Sequence, residues 1–208
     1  MSFLSKLQSL FSHSPKPSPE VAERIVDELI ELGFLKFVPE TDKANVRAQL
    51  VESVKENYLD SEWNDDCVSA DKRSYQADAE DLAEGDVGKC LLQMKEVLVQ
   101  EGVTLDSVED DFGDEHRRYH VVINGVEHFI YDLTDNTGDD IWTQSLRRLV
   151  EIANSLLQDA SSSERLFGVY GGNDARVMFL TPEMHRLLRL NSDIFDEKWM
   201  PVIADELR

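Results

Sequence analysis

The sequence predicts an α+β protein: an antiparallel sheet of about four or five strands, built from two hairpins and packed against several helices. Three observations carry this. Apolar residues recur at helical spacing through much of residues 18–102. Two β-rich stretches in the second half, "RRYHVVINGVEHFIYDL" and "RLFGVYGGNDARVMFL", each fold back on a short turn signal. A long amphipathic helix lies between them, so the order along the chain is roughly ααα, ββ(β), α, ββ, α.

Residues 1–17 read as a short amphipathic helix and a tether. "MSFLSKLQSLFSHS" puts Phe3, Leu4, Leu7, Leu10 and Phe11 on one side of a helix, and its longest unbroken apolar run is two residues. A secretory signal needs a continuous apolar stretch, so none is expected. The Pro-rich run Ser14–Pro19 makes an extended tether. Residues 18–208 read as one α+β domain, mainly helical over 18–102 and sheet plus helices over 103–208.

Ser18 is the expected N-cap of the first strong helix and Pro19 its first residue. Val21, Ile25, Leu29 and Leu32 form its stripe, and Gly33 stops it. A second helix over Lys43–Leu59 pairs with it antiparallel. Residues 60–85 are acidic and poor in large apolar side chains, which predicts a long loop with one helical turn, or equally a helix of weak pattern, anchored by Trp63 and Tyr75. Asp86 is the expected cap of a third helix over 87–102, with Cys90 on its apolar face. "VTLDSV" is a weak strand candidate.

Asn124-Gly125 is a strong hairpin signal, because a type I′ turn needs positive φ at both central positions. A two-residue turn there pairs Ile123 with Val126, Val121 with His128 and Tyr119 with Ile130. Both faces of this hairpin are largely apolar, so a central place with at least partial cover on both sides is expected. Asp139 or Asp140 caps a helix running to Gln158. In the second hairpin a turn at Gly172-Asn173 pairs Tyr170 with Ala175, Gly168 with Val177 and Leu166 with Phe179. A phosphate cradle would need glycines that lead from a strand into a helix N-terminus, but the residues that follow alternate as a strand. Thr181, Pro182 and Glu183 then open a short helix.

The chain carries 42 acidic against 21 basic residues, a formal net charge of −21. Phosphates would be repelled, which disfavours direct nucleic-acid binding, whereas a basic protein would be attracted. The two cysteines form no CxxC, and no run is apolar enough to span a bilayer, so a cytoplasmic location is expected. His116 and His120 sit on turn and strand, and His120 and His128 face opposite sides of their hairpin. "DSVEDDFGDEH" lacks calcium-loop spacing, and no G-x-S-x-G elbow occurs. No catalytic residue, cofactor or metal site is therefore expected.

What remains is the placement of acid. Asp110, Asp111, Asp114 and Glu115 crowd the approach to the first hairpin, and Asp132, Asp135, Asp139 and Asp140 crowd its exit. The register above puts both groups at one end, as a negative rim for docking a basic protein. The stretch from Trp142 to Leu180, "W…SLRRLVEIANSLLQDASSSERLFGVYGGNDARVMFL", resembles bacterial toxin-immunity proteins of polymorphic and contact-dependent toxin systems. That resemblance implies an acidic α+β module that binds a toxin domain, such as a nuclease, and occludes its active site. Two other readings share the composition: a housekeeping adaptor or regulatory protein whose charge keeps it soluble, and an enzyme with a site assembled from scattered residues.

Overall fold

In the computed structural model, residues 16–113, 117–134, 140–169 and 174–207 are described. Helix α1 (Pro19–Glu31) starts at Ser18, whose hydroxyl accepts the Val21 amide. It ends in a Schellman turn, with Phe34 N–H donating to Leu29 and Gly33 N–H to Ile30. Helix α2 (Lys43–Lys55) packs beside it, as the spacing predicts. The expected long loop that follows holds more order than its composition signals. It contains an edge strand β1 (Ser74–Gln76), a short turn α3 (Ala79–Asp81) and a widened helical turn over Leu82–Asp86. The third helix is divided by Met94 into α4 (Val87–Gln93) and α5 (Lys95–Gln100).

Among the described residues six strands are divided between two three-stranded antiparallel sheets instead of forming one. The first consists of β2 (Val108–Phe112), β3 (Arg118–Ile123) and β4 (Val126–Asp132), with β3 central. Asn124 and Gly125 take φ of 52° and 80°, the type I′ signature. The Asn124 side chain also accepts the amides of Asp106 and Ser107 and donates to the Thr104 carbonyl. This holds the expected strand over 103–108 as a loop, and pairing begins at Val108. The register near the turn is as predicted, but a bulge between Tyr119 and His120 pairs Tyr119 with Tyr131, not Ile130. The outer face of this sheet stays partly open, with Phe129 exposed and His120 and Val122 half-buried. Cover of this second side is therefore partial.

The second sheet orders β1, β6 (Arg176–Leu180) and β5 (Arg165–Val169). Its hairpin pairs Gly168 with Val177 and Leu166 with Phe179, as the sequence indicates. The expected turn lies in 170–173, outside the described residues. This is the sheet covered on both faces. Leu166, Val177 and Phe179 face a core shared with α4, α5, α6 (Ile141–Asp159) and the first sheet. Phe167, Val169, Met178 and Leu180 face a second core with α1, α2 and α7 (Pro182–Leu190). The free edge of β5 is closed: the Asn154 amide bonds both backbone groups of Leu166, and Val202 bridges Gly168. A Cβ at Gly168 would overlap the buried Leu207 side chain, which would have to shift to admit it.

A buried polar hub links the layers. The Arg73 guanidinium donates to the carbonyls of Gly33, Phe34 and Phe179 and to both oxygens of Glu164. All five of its N–H donors are thereby used. Lys36 joins Glu164 to Glu101 at 3.0 and 2.8 Å. Beside it, buried Asp71 accepts from Ser61, Ser69 and the Arg73 amide.

Candidate functional site

The eight carboxylates expected to form one rim do not act alike. Asp114, Glu115, Asp135 and Asp139 lie outside the described residues. Asp110 points at the start of α4, where it accepts the Gly88 amide at 2.8 Å and the Tyr119 hydroxyl. The same hydroxyl accepts the Val87 amide at 3.0 Å. Two orphan amides of α4 are thus capped from the neighbouring sheet, while Asp86, the expected cap, pairs with Lys89. Burial, reinforced by the bond to Asp110, raises the Tyr119 pKa above the ordinary tyrosine range, so the phenol remains the donor.

Asp132 accepts the Thr134 hydroxyl and amide at 2.6 and 2.8 Å and Arg118 Nε at 2.6 Å. The Thr134 bonds, followed by the Arg118 bond, pull its pKa down to about 2. Asp140 caps α6 by accepting the Thr143 amide at 2.8 Å. Asp111 is exposed and stands opposite His120 across the β2–β3 pair. It lines a hollow of about 500 Å³ together with Arg117, Arg118, His120, Glu127 and Asp132. Two guanidinium groups make the field there mixed in sign. Three of the four described rim carboxylates are committed to the fold.

A different concavity gathers acid with aromatic surface. It measures about 610 Å³ and lies where α2 ends and the chain turns back through 60–63. Glu52 and Glu56 come from the end of α2, and Tyr58, Asp60, Glu62 and Trp63 from the turn. The turn is laced to α2. Ser53 Oγ accepts the Asp60 amide at 3.0 Å, and Gln49 accepts the Glu62 amide at 3.1 Å. Asp60 in turn accepts the Trp63 indole N–H at 2.8 Å and Arg176 Nη1 at 2.7 Å. Burial raises the Asp60 pKa in spite of these donors. The Arg176 guanidinium lies between two indoles, 4.7 Å from the Trp63 ring centre and 4.8 Å from that of Trp199. Trp63 is therefore fixed before any partner arrives.

The groove's remaining carboxylates face solvent. Glu52 and Glu56 are exposed and contact Lys55 and Lys16, also at the surface. Glu62 is exposed and has no ion-pair or side-chain hydrogen-bond partner among the described residues. Surface pairs of this type are weak and exchange readily. Carboxylates around an aromatic wall attract a lysine or arginine side chain by charge and by cation–π contact. Of the two aromatics expected to anchor the 60–85 segment, Tyr75 is buried at 2% exposure within the core, as expected, and Trp63 is half-buried at the groove wall. Asp60, Arg176 and Trp199 escaped notice. The one signal was a lone arginine at the head of the apolar strand "RVMFL", which demands a partner.

Among the described residues no group of three histidine, cysteine or acidic side chains is placed to hold a metal ion. No described helix is long and apolar enough to cross a membrane. No family model, curated protein or solved structure matches this chain.

Proposed function

We propose that this is a non-catalytic, acidic binding protein of the immunity type, acting in the cytoplasm, which seats basic side chains of a partner toxin domain in the groove beside Trp63. The observation that carries this is the joining of Tyr58 and a pre-positioned Trp63 with the exposed carboxylates of Glu52, Glu56 and Glu62 in one concave surface. A net charge of −21 adds long-range attraction for a positively charged partner. A nuclease domain suits the surface, since a protein that grips phosphates presents the cations this groove takes. The likeness of Trp142–Leu180 to immunity proteins points the same way.

The test is co-expression with the toxin domain encoded by the neighbouring reading frame. Restored growth, together with a complex that weakens steeply with salt and on Glu62→Gln, supports the reading. It fails if toxicity is unchanged, if no toxin is encoded there, or if the complex ignores both salt and the groove substitutions.

A further inference from the structure

Both cysteines of the chain line one hollow of about 170 Å³ between the turn over 64–68 and α4, together with Asp78, Asp81, Asp86 and Lys89. We propose that this hollow is a site of oxidative modification, in which hydrogen peroxide oxidises the exposed Cys67 and Cys90 then closes a Cys67–Cys90 disulfide across it.

The backbone of Gln76 brings the two cysteines together. The N–H and C=O of one strand residue point to the same side. The Gln76 N–H donates to the Cys67 carbonyl at 3.2 Å, and the Gln76 carbonyl accepts the Cys90 thiol at 3.8 Å. Cys67 and the Cys90 sulfur are thus neighbours along one flank of β1. A tight turn holds Cys67 there. Its amide donates to the Asn64 carbonyl, and Asn64 Oδ1 accepts the amides of Asp66 and Val68. The Cys67 φ of 57° lies in the left-handed region, and the Trp63–Ser69 and Val68–Tyr75 bridges close the turn behind it. Residues 64–67 are all exposed, so the turn can adjust to disulfide geometry without disturbing either core.

Exposure assigns the roles. Cys67 meets the oxidant first, whereas Cys90 is only 4% exposed. The Cys67 thiolate attacks one peroxide oxygen, the O–O bond breaks, and hydroxide leaves to become water, which gives the sulfenic acid. The Cys90 sulfur then attacks the Cys67 sulfur and the S–O bond breaks. The departing hydroxide takes up the Cys90 proton as a second water. Two thiols lose two electrons and peroxide gains them, so no other reagent is needed. Cys90 is too enclosed for bulk reagents, but a sulfenic acid held beside it is a partner at high effective concentration. Charge selects the oxidant. Lys89 is paired with Asp86, so Asp78 and Asp81 leave the hollow negative. Anionic disulfides such as oxidised glutathione are repelled, and uncharged peroxide is not.

The test treats the reduced full-length protein with a small excess of hydrogen peroxide, then alkylates it in denaturant. The expected product is a monomer two hydrogens lighter, with no free thiol and with Cys67 joined to Cys90 in the peptide map. Its rate of formation should not depend on protein concentration. Cys67→Ser should slow oxidation of Cys90 about a hundredfold or more. Cys90→Ser and Cys90→Ala should each stop at a Cys67 sulfenic acid that dimedone traps, and a melt shows that the variant used is folded. Amides of residues 64–69 should exchange about tenfold more slowly in the oxidised monomer. The proposal is overturned if Cys67 passes to sulfinic acid or joins a second molecule while Cys90 still takes the alkylating reagent. It is equally overturned if Cys90 oxidises as fast in Cys67→Ser, or if the disulfide forms only after unfolding.

Discussion

Arg73 and Glu164 meet in the interior with no accessible side-chain surface, Nη1 2.9 Å from one carboxylate oxygen and Nη2 3.3 Å from the other. They stand 91 residues apart in the chain. The pair sits where the Schellman turn of α1, strand β1 and the α6–β5 connection converge. Desolvating two charges costs several kcal/mol each, so such a pair is poor evidence of net stabilisation. Its clearer effect is positional: the guanidinium satisfies three carbonyls from two segments, Gly33 and Phe34 after α1 and Phe179 in β6, which fixes how the layers abut.

Breaking the pair from one side is therefore expected to be severe. Glu164→Gln leaves Arg73 without a counter-charge and removes one of the two carboxylates on Lys36, a loss of about 3–5 kcal/mol. Arg73→Met should cost a similar amount. The double variant Arg73→Met/Glu164→Leu should be less destabilised than the sum of its parts. It should still fall short of wild type, because the carbonyls of Gly33, Phe34 and Phe179 lose their donor. Urea denaturation midpoints with an unchanged slope measure this, and a loss under about 1 kcal/mol for Glu164→Gln would contradict it.

Gly88→Ala should destabilise, although alanine favours helices by about 1 kcal/mol. A Cβ on Gly88 would lie 2.6 Å from Asp110 Oδ2 and 2.9 Å from Cγ. That carboxylate cannot swing aside without giving up the Gly88 amide and the Tyr119 hydroxyl, at roughly 1–3 kcal/mol for the groups left unpaired. The double variant with Asp110→Ala should cost less than the two single changes added, because the clash and the bond disappear together. Strict additivity in thermal melts would refute the coupling.

What the sequence made legible follows from range. Local signals held: Ser18, Asp140 and Thr181 cap their helices as expected, and Asn124-Gly125 makes its turn. The alternation in β5 and β6 sorted correctly onto two cores. What failed was pairing over distance. Strand β1 has three residues, and two of them, Ser74 and Gln76, are polar, so it looked like loop. Its place is set by β6, about a hundred residues away. The bulge at Tyr119 shifted half a hairpin. Counting carboxylates found where acid is dense, but it could not tell which groups would be taken up by Tyr119, Thr134 or a helix end.

Acid should remove one identifiable stabilising contribution. Asp132 has a folded pKa of about 2, below the unfolded value of about 3.9. The native state binds fewer protons, so its stabilisation is complete above about pH 4 and is lost as pH falls towards about 2. Asp132→Asn should lower the unfolding midpoint at pH 7, and its difference from wild type should shrink to nothing through that window. A difference that persists at pH 2 would mean that the charge is not the cause.

The two thiols should differ sharply. Cys67 is exposed, whereas burial pushes the Cys90 thiol up to about 12. The thiolate is the reactive species, so at pH 8 iodoacetamide should add one label, at Cys67. A second should appear only on unfolding in denaturant. Intact-mass measurement followed by peptide mapping reads this directly, and early labelling of Cys90 would mean that α4 opens readily from the core.

The proposed groove separates from the fold-supporting acids by kinetics. Replacing Glu52, Glu56 and Glu62 with Gln removes exposed charge at the edge of the site. Association with a basic partner should slow, with a shallower salt dependence, while dissociation and melting temperature change little. Trp63→Ala acts differently, since it removes the aromatic wall and should weaken binding about tenfold or more through faster dissociation. It also frees Arg176 and Asp60, so a melt must accompany it, and Trp63→Phe should recover much of the affinity. Asp110→Asn supplies the contrast: lower stability through Tyr119 and Gly88, with affinity unchanged in the folded fraction. If instead Asp110→Asn slows association and the three glutamine variants do not, the docking surface lies at the β2–β3 end and the groove beside Trp63 is only a surface feature.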